Sequence, residues 1–417
     1  MSAITHIKLL VSRHFRQAVR IGRTVQFAVI RLRLKMVNLL RPFLSANARQ
    51  LLPRRVCSVE QFQSEVALKC KAAISVISAP HPVERNLIPR SIHAKAYVGF
   101  LEHAHTETSP VYFVHGGPFH FYIGQRYGLV TADGDLVQEL SFDIWGVFLH
   151  HLFRRFTAPP VISFDGLVCA IIESEAATYG HWLLEMVPRL VHAQRHSHSF
   201  GDAPKFLISH HGKPHELETL AAVGISEADL LSYREDVFLK ALRWIIPSQT
   251  SRSGLNITRE STDLIRGVFL EANRTPGPRK RLYLSRRNDR FRRITNEDEV
   301  ISLLERYGFE AVEPGLLTIR EQAHLFAAAE AVVSVISSGL ANIVFMTEGN
   351  SVIEIFPDDF FLPIQWALSD LRRLRYYYFF ASGYQPPSAV PPNRFSDVKI
   401  SLPALRETLA FAGLAER

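Results

Sequence analysis

The sequence predicts an α/β protein whose C-terminal half folds as a parallel, doubly wound sheet. Between residues 281 and 356, four β-prone runs alternate with three helical patterns. That alternation is the mark of strands laid parallel by helical crossovers. The composition, 47% hydrophobic and 21% charged, is that of a globular chain and excludes wholesale disorder. A length of 417 residues implies two or three domains of about 150 residues each.

Charge is unevenly placed. Residues 1–55 hold twelve Lys and Arg and no Asp or Glu, so of 48 basic residues 36 remain in the body against 40 acids. The body is therefore mildly acidic, which argues against nucleic acid as a partner. In the leader, Ala18, Ile21, Val25, Val29, Leu32, Met36 and Leu40 recur every three or four residues, roughly opposite Arg16, Arg20, Arg23 and Arg31. Such a basic amphipathic helix either lies on an anionic membrane surface or packs on the body with its arginines in water. No apolar run reaches the roughly 18 residues of a membrane span, since Phe27–Ile30 stops at Arg31. The N-terminus lacks the apolar core of a secretory signal. Cys57, Cys70 and Cys169 form neither a disulfide framework nor a C-x-x-C pair, which fits a reducing, cytoplasmic setting.

In chain order, Ala96–Phe100, Val111–Val114 and Phe119–Ile123 are β-prone, and Ala132-Asp133-Gly134-Asp135 is a turn. Leu167–Ile172 reads as a buried strand, followed by a helix from Tyr179 or His181. Pro204–Ser209 is a strand, His215–Val223 a helix closed by Gly224, Val237–Ile246 a strand and Pro247–Gly254 a linker. The regular part then begins. Arg281–Ser285 is a strand; Thr295 and Asp298 cap a helix to Tyr307; Phe309–Val312 is a strand. Thr318 and Glu321 form a capping box for a helix through Glu330. Ala331–Ile336, a tight turn at Ser337-Ser338-Gly339, a short helix Leu340–Met346 and the strand Ser351–Phe356 complete it. Tyr376–Phe380 is a core segment or an acceptor- or membrane-facing surface, and Pro403–Ala412 is a last helix.

Ligands of such sheets bind beyond the carboxyl ends of the strands. One loop there, Ser285–Arg293, carries five arginines in nine residues. Guanidinium meets phosphate oxygens bidentately, so the loop suits a diphosphate, although wet loops are also often charged. The other, Ser337–Asn342, offers small residues and the N–H groups of a helix start, which attract phosphate. Small residues also occur at such turns for steric reasons.

Upstream, Tyr179–Leu190 places His181, Glu185 and Arg189 at i, i+4 and i+8 on a helix, one polar stripe beside an apolar surface. A histidine next to a carboxylate is a proton acceptor; a surface salt-bridge stripe has the same pattern. Pro188 removes the N–H to the Leu184 carbonyl and predicts a kink. His192, His196 and His198 have no acid or cysteine completing a metal site, so no metal is expected.

Tyr179–Leu190 resembles the HWL…(D/E)…PRL segment of glycosyltransferase family 61. Further matching pieces follow in order: Tyr283-Leu284-Ser285-Arg286, Arg293 with Asn296-Glu297, Glu321-Gln322, Gly339-Leu340-Ala341-Asn342 and Val352-Ile353-Glu354. One position departs: Ile336 stands where members usually have histidine. The resemblance, over roughly residues 95–360, implies a GT-B-like fold of two Rossmann-like domains facing a cleft. Together with the basic leader (1–55) and the linker marked by Pro386-Pro387 and Pro391-Pro392, it divides the chain into an acceptor-side domain (56–250), a nucleotide-sugar-binding domain (251–385), and a linker with a helix crossing back to the first domain (386–417). It also implies an inverting, metal-independent enzyme with no cofactor, moving a sugar from a nucleotide-sugar donor to a glycan or lipid-linked acceptor in surface polysaccharide biosynthesis. His181 and Glu185 are then the base and its orienting partner, in either order. Ser285, Arg286, Arg290, Ser338, Gly339 and Asn342 contact the donor, with Glu354 on the ribose. Tyr179 and Arg189 face the acceptor. The alternative is a non-catalytic membrane-surface scaffold that keeps the fold.

Overall fold

The computed structural model describes residues 160–173, 176–197, 203–232, 237–247, 257–271, 277–357, 362, 364–381 and 397–417. It also describes the strand backbones β1 (Arg55–Cys57), β2 (Ala73–Ser78), β3 (Val111–His115), β4 (Phe119–Ile123), β5 (Gly128–Thr131) and β6 (Asp135–Val137). The amphipathic leader, the run Ala96–Phe100 and most of the two linkers lie outside the described residues. No helix among the described residues is long and apolar enough to cross a membrane.

The first sheet adds β7 (Val161–Ile171), β8 (Lys205–Ile208) and β9 (Val237–Ile245), in the order β1-β6-β5-β4-β9-β7-β8. β7, β8 and β9 run parallel, while β4, β5 and β6 form an antiparallel meander joined to β9. β2 and β3 pair antiparallel as a separate ribbon. This sheet is mixed, which corrects the expectation of a Rossmann-like first domain. The β7–β8–β9 part has the parallel layout, β1 pairs parallel with β6 at the far edge, and the strands between are antiparallel. Helix α1 follows β7 and consists of Tyr179–His181, a π-helical stretch Trp182–Met186, and Val187–Ser197. This widened turn lies just before Pro188, with Val187 N–H reaching back five residues to Trp182 O. After β8 comes α2 (Pro214–Val223), closed by Gly224 at φ 83°.

The second sheet is wholly parallel and has five strands: β10 (Lys280–Leu284), β11 (Phe309–Val312), β12 (Ala329–Val335), β13 (Ser351–Phe356) and β14 (Arg375–Phe380). Their spatial order is β11-β10-β12-β13-β14. The chain thus builds outward from β10 in one direction, then reverses across it, so β10 and β12 flank a topological switch point. Its crossovers are α4 (Glu297–Arg306), α5 (Ile319–Ala327), a 3₁₀ helix (Ser338–Phe345) and α6 (Ile364–Leu371). Every residue of β13 is buried, as expected for a strand covered on both faces. Tyr376–Phe380, left open by the sequence, is the fifth strand and belongs to the core.

Two local expectations fail. α4 starts at Glu297 with Asn296 at its cap, while Thr295 Oγ1 turns to Val398 O at 3.4 Å. Among the described residues, the terminal helix α7 (Leu402–Phe411) packs on β14 and α4 of the second sheet, where a helix crossing back to the first domain was expected. Asn296 explains this: its amide exchanges two 2.9 Å hydrogen bonds with Ile400, pinning the chain just before α7.

One apolar cluster runs through both sheets, joining Trp182 and Leu190 of α1 to Leu282, Val332 and Ile353 of the second sheet. Helix α3 (Arg259–Phe269) sits between them, touching α1, α2, α5 and the 3₁₀ helix. Burying each such side chain is worth about 1.5–3 kcal/mol. The end of the 3₁₀ helix is tied to α3 by Arg266, which donates to Val344 O at 2.9 Å.

Gly224→Ala is expected to lower unfolding stability by about 1 kcal/mol, because alanine cannot hold the left-handed φ that closes α2 without strain. Chemical denaturation checks this. An unchanged midpoint would mean that the turn relaxes freely.

Candidate functional site

At the switch point the loops after β10 and β12 part, and the turn that opens α1 enters beside them. The loop after β12 is short. Ser337 is extended, and the first internal bond of the 3₁₀ helix is Leu340 N to Ser337 O at 3.2 Å. The N–H groups of Ser338 and Gly339 precede that bond and form the helix start. A methyl group on Gly339 would meet Pro314 and Leu284 only at ordinary contact distances of 3.7 and 3.8 Å, so local geometry does not demand glycine there. Ile336 is buried and its N–H bonds to Ile355 O, making the position apolar core in this chain.

The arginine loop sorts its cations by partner. Arg286 is buried; its Nε donates to Arg292 O at 2.9 Å and its Nη2 to Phe291 O at 2.7 Å, with Asp289 at 3.1 Å. It staples the loop, with Nε and Nη2 engaged by loop carbonyls where a phosphate contact was expected. Burial lowers its pKa, and Asp289 and Glu297 oppose that effect. Arg287 pairs with Asp298, and Arg293 with Asp397 at 2.8 Å. Arg290 lies over the Phe291 ring at 5.1 Å, and that ring is 40% exposed. Arg290 is thus the cation of this loop best placed to meet a ligand. Ser285 Oγ receives Arg287 N–H at 3.3 Å. Beneath the loop, buried Glu297 accepts from Arg286 N–H and Tyr283 Oη–H, each at 2.9 Å, an anchoring role the sequence reading missed.

Across the crevice, His181 Nδ1 lies 3.0 Å from Glu185 Oε1. The histidine side chain is 25% exposed and the carboxylate 4%. The preceding residue, Gly180, packs on Ser338, where an added Cβ would lie 3.7 Å from its Cα. His181 therefore sits next to the Ser338 turn. Arg189 ends the stripe elsewhere. It is buried and donates to Ile172 O at 2.8 Å and Pro247 O at 3.0 and 3.2 Å. It ties α1 to the carboxyl ends of β7 and β9, which removes it from the acceptor side.

Tyr179 and Asn342 prove to be partners of each other. Tyr179 Oη donates to Asn342 Oδ1 at 2.7 Å; Asn342 Nδ2 donates to Gln322 Oε1 at 2.6 Å and Gly339 O at 3.0 Å. Asn342 is fully buried, and burial pushes the Tyr179 phenol up. These polar groups bond to one another and to the fold, where ligand contacts were expected. His215 of α2 meets the Tyr179 ring edge-on at 5.4 Å, and burial keeps its pKa low. Glu354 is also corrected. It is wholly buried in β13, and Tyr376 Oη donates to its Oε2 at 2.5 Å, so it cannot reach a ribose. Burial raises its pKa from the ordinary 4.5 to about 8.

Of the expected residues, the structure brings together His181, Glu185, Ser338 and Gly339, with Ser285 and Arg290 on the facing loop. Gln322, Glu218, His215 and Glu297 escaped the sequence reading. The only signal for two of them was Gln322 and Glu297 standing inside family-like pieces.

Residues 179–353 match the family model described as Glycosyltransferase 61. The family resemblance carried by the ordered motifs is thereby shown over that span. Among solved structures, the iron-containing dodecameric glycosyltransferase TibC from enterotoxigenic E. coli H10407 aligns with 62% of this chain and 79% of its own. Identity is 11% and the TM-score 0.24, a likeness too slight to carry an argument. No curated protein matches the chain.

Glu354 generates a pH prediction. Its folded pKa lies above its unfolded one, so its stabilising contribution is full below about pH 4.5 and is lost as pH rises through about 8. Glu354→Gln, which mimics the neutral acid, is expected to abolish that decline. Urea unfolding between about pH 5 and 8 should show the wild type losing stability relative to the variant. Parallel profiles would mean that the carboxylate is solvated.

Proposed function

We propose that this chain, a glycosyltransferase by its family match, is an inverting, metal-independent enzyme using a nucleotide-sugar donor. The His181–Glu185 pair standing beside the Ser338 turn, at the switch point of a parallel sheet, carries this reading. The nucleoside diphosphate lies across the carboxyl ends of β10 and β12. Arg290 and the N–H groups of Ser338 and Gly339 stabilise the charge that develops on the departing diphosphate.

Glu185 accepts from Nδ1–H of His181, which leaves Nε2 as the basic nitrogen and supports the imidazolium that forms. His181 is therefore the base and Glu185 its orienting partner. The acceptor hydroxyl attacks the anomeric carbon in line with the leaving phosphate oxygen. One carbon–oxygen bond forms as the other breaks, configuration inverts, and the hydroxyl proton passes to Nε2. The two sheets are proposed to face the cleft in the GT-B manner. The acceptor is a glycan or lipid-linked molecule of surface polysaccharide synthesis. The basic leader would then hold the enzyme on the cytoplasmic face of a membrane.

The second reading, a scaffold without chemistry, draws on Arg286, Asn342 and Glu354 being occupied by the fold. It gives no role to a buried carboxylate aimed at a part-exposed histidine.

Transfer from a panel of sugar nucleotides, with nucleoside-diphosphate binding measured in parallel, decides between them. His181→Ala is expected to lower kcat at least about a hundredfold and Glu185→Gln about tenfold, with nucleotide affinity unchanged. Arg290→Ala should weaken nucleotide binding about tenfold, the loss of one charge-assisted contact. Binding without turnover of any donor would favour the scaffold, and wild-type turnover in both His181→Ala and Glu185→Gln would place the base elsewhere.

A further inference from the structure

We propose that Glu218, Gln322, Asn342 and Tyr179 form a strap that positions the base-bearing turn against the donor turn, so the site stands assembled before substrate arrives. The proposal rests on the transferase reading above and names residues that act through others: none of the four is taken to touch substrate.

The strap is a closed ring of contacts. Glu218 on α2 accepts from the N–H groups of Ile319 at 2.7 Å and Arg320 at 3.0 Å, placing an anion on the start of α5. One turn into α5, Gln322 accepts from Asn342 in the 3₁₀ helix at 2.6 Å. Asn342 accepts from Tyr179 at the start of α1 at 2.7 Å. Tyr179 then returns to α2 through the ring of His215, 5.4 Å away. Helices from both sheets are thus linked in one circuit, with His181 two residues beyond Tyr179 and Gly180 seated on Ser338.

The polarity of the ring is also fixed. Gln322 Nε2 donates to Leu317 O at 3.0 Å, a carbonyl that can only accept. Gln322 must therefore turn its oxygen to Asn342, and Asn342 must present its amino group. That amino group also serves Gly339 O at 3.0 Å, which leaves Asn342 Oδ1 for Tyr179. Neither amide can flip without setting like against like. A network with one solution holds one geometry, and small displacements of a catalytic base can cost on the order of a hundredfold in rate.

The test is a double-mutant cycle read in catalysis. Tyr179→Phe removes one hydroxyl, and Gln322→Leu removes the relay at its far end. Each is expected to lower kcat at least about tenfold while UDP and GDP affinities stay within about twofold. The double variant should be no slower than the slower single, because both cut the same connection. Glu218→Ala, which leaves the buried amides intact, should lower kcat in the same way and covers the case in which Gln322→Leu fails to fold. Unchanged kcat in Tyr179→Phe, or effects that multiply in the double variant, would overturn the strap.

Failure of the transferase reading looks different, since the wild type would then transfer no sugar. The cycle would be read in unfolding free energy instead, where additive losses overturn the strap and coupled losses support it.

Discussion

Tyr179 Oη and Asn342 Oδ1 lie 2.7 Å apart in a part-buried hydrogen bond between residues 163 positions apart in the chain. Breaking that bond would leave the buried Asn342 Oδ1 without its partner, at a cost of about 1–3 kcal/mol. Because it joins the start of α1 to the helix after β12, it decides where His181 stands relative to the Ser338 turn. The apolar cluster that joins the two sheets brings these segments near each other. The hydrogen bond then sets their register, which apolar packing alone specifies less sharply.

The reversal of strand order at β10 and β12 does the complementary work on the second sheet. It leaves an opening that adjacent crossovers cannot cover, and two loops border it. The arginine loop could not present five free cations there without strong mutual repulsion. Asp289, Asp298 and Asp397 neutralise Arg286, Arg287 and Arg293, and Arg286 is also drawn inward to tie the loop to itself. Arg290, stacked on its neighbour's ring, is left facing outward. Glu297 holds the base of the loop through the backbone of Arg286, so loop position does not depend on any ligand.

The second sheet was legible because its signals are local. Thr318 and Glu321 cap α5 as the sequence reading expected, with Thr318 N–H to Glu321 Oε2 at 2.8 Å. Strand and helix periods alternate cleanly from 281 onward. Tyr376–Phe380 was harder, since an unbroken apolar run carries no period and suits either a buried strand or a surface. The site was legible only in outline. The i, i+4 spacing of His181 and Glu185 survives in the folded geometry. Whether Arg286 or Arg290 is free, however, depends on how the loop folds back on its own carbonyls. The roles of Asn342, Arg189 and Glu354 likewise depend on partners 163, 58 and 22 positions away, which spacing cannot reveal.

The central claim is that a nucleoside diphosphate occupies the switch point between β10 and β12, beside the His181 turn. Backbone-amide hydrogen exchange, followed with and without saturating UDP or GDP, tests this most directly. The account predicts slowed exchange in residues 285–293 and 336–342, with a smaller effect at 179–182. Protection confined to the carboxyl ends of β7 and β8, with no change in the two loops of the second sheet, would contradict it.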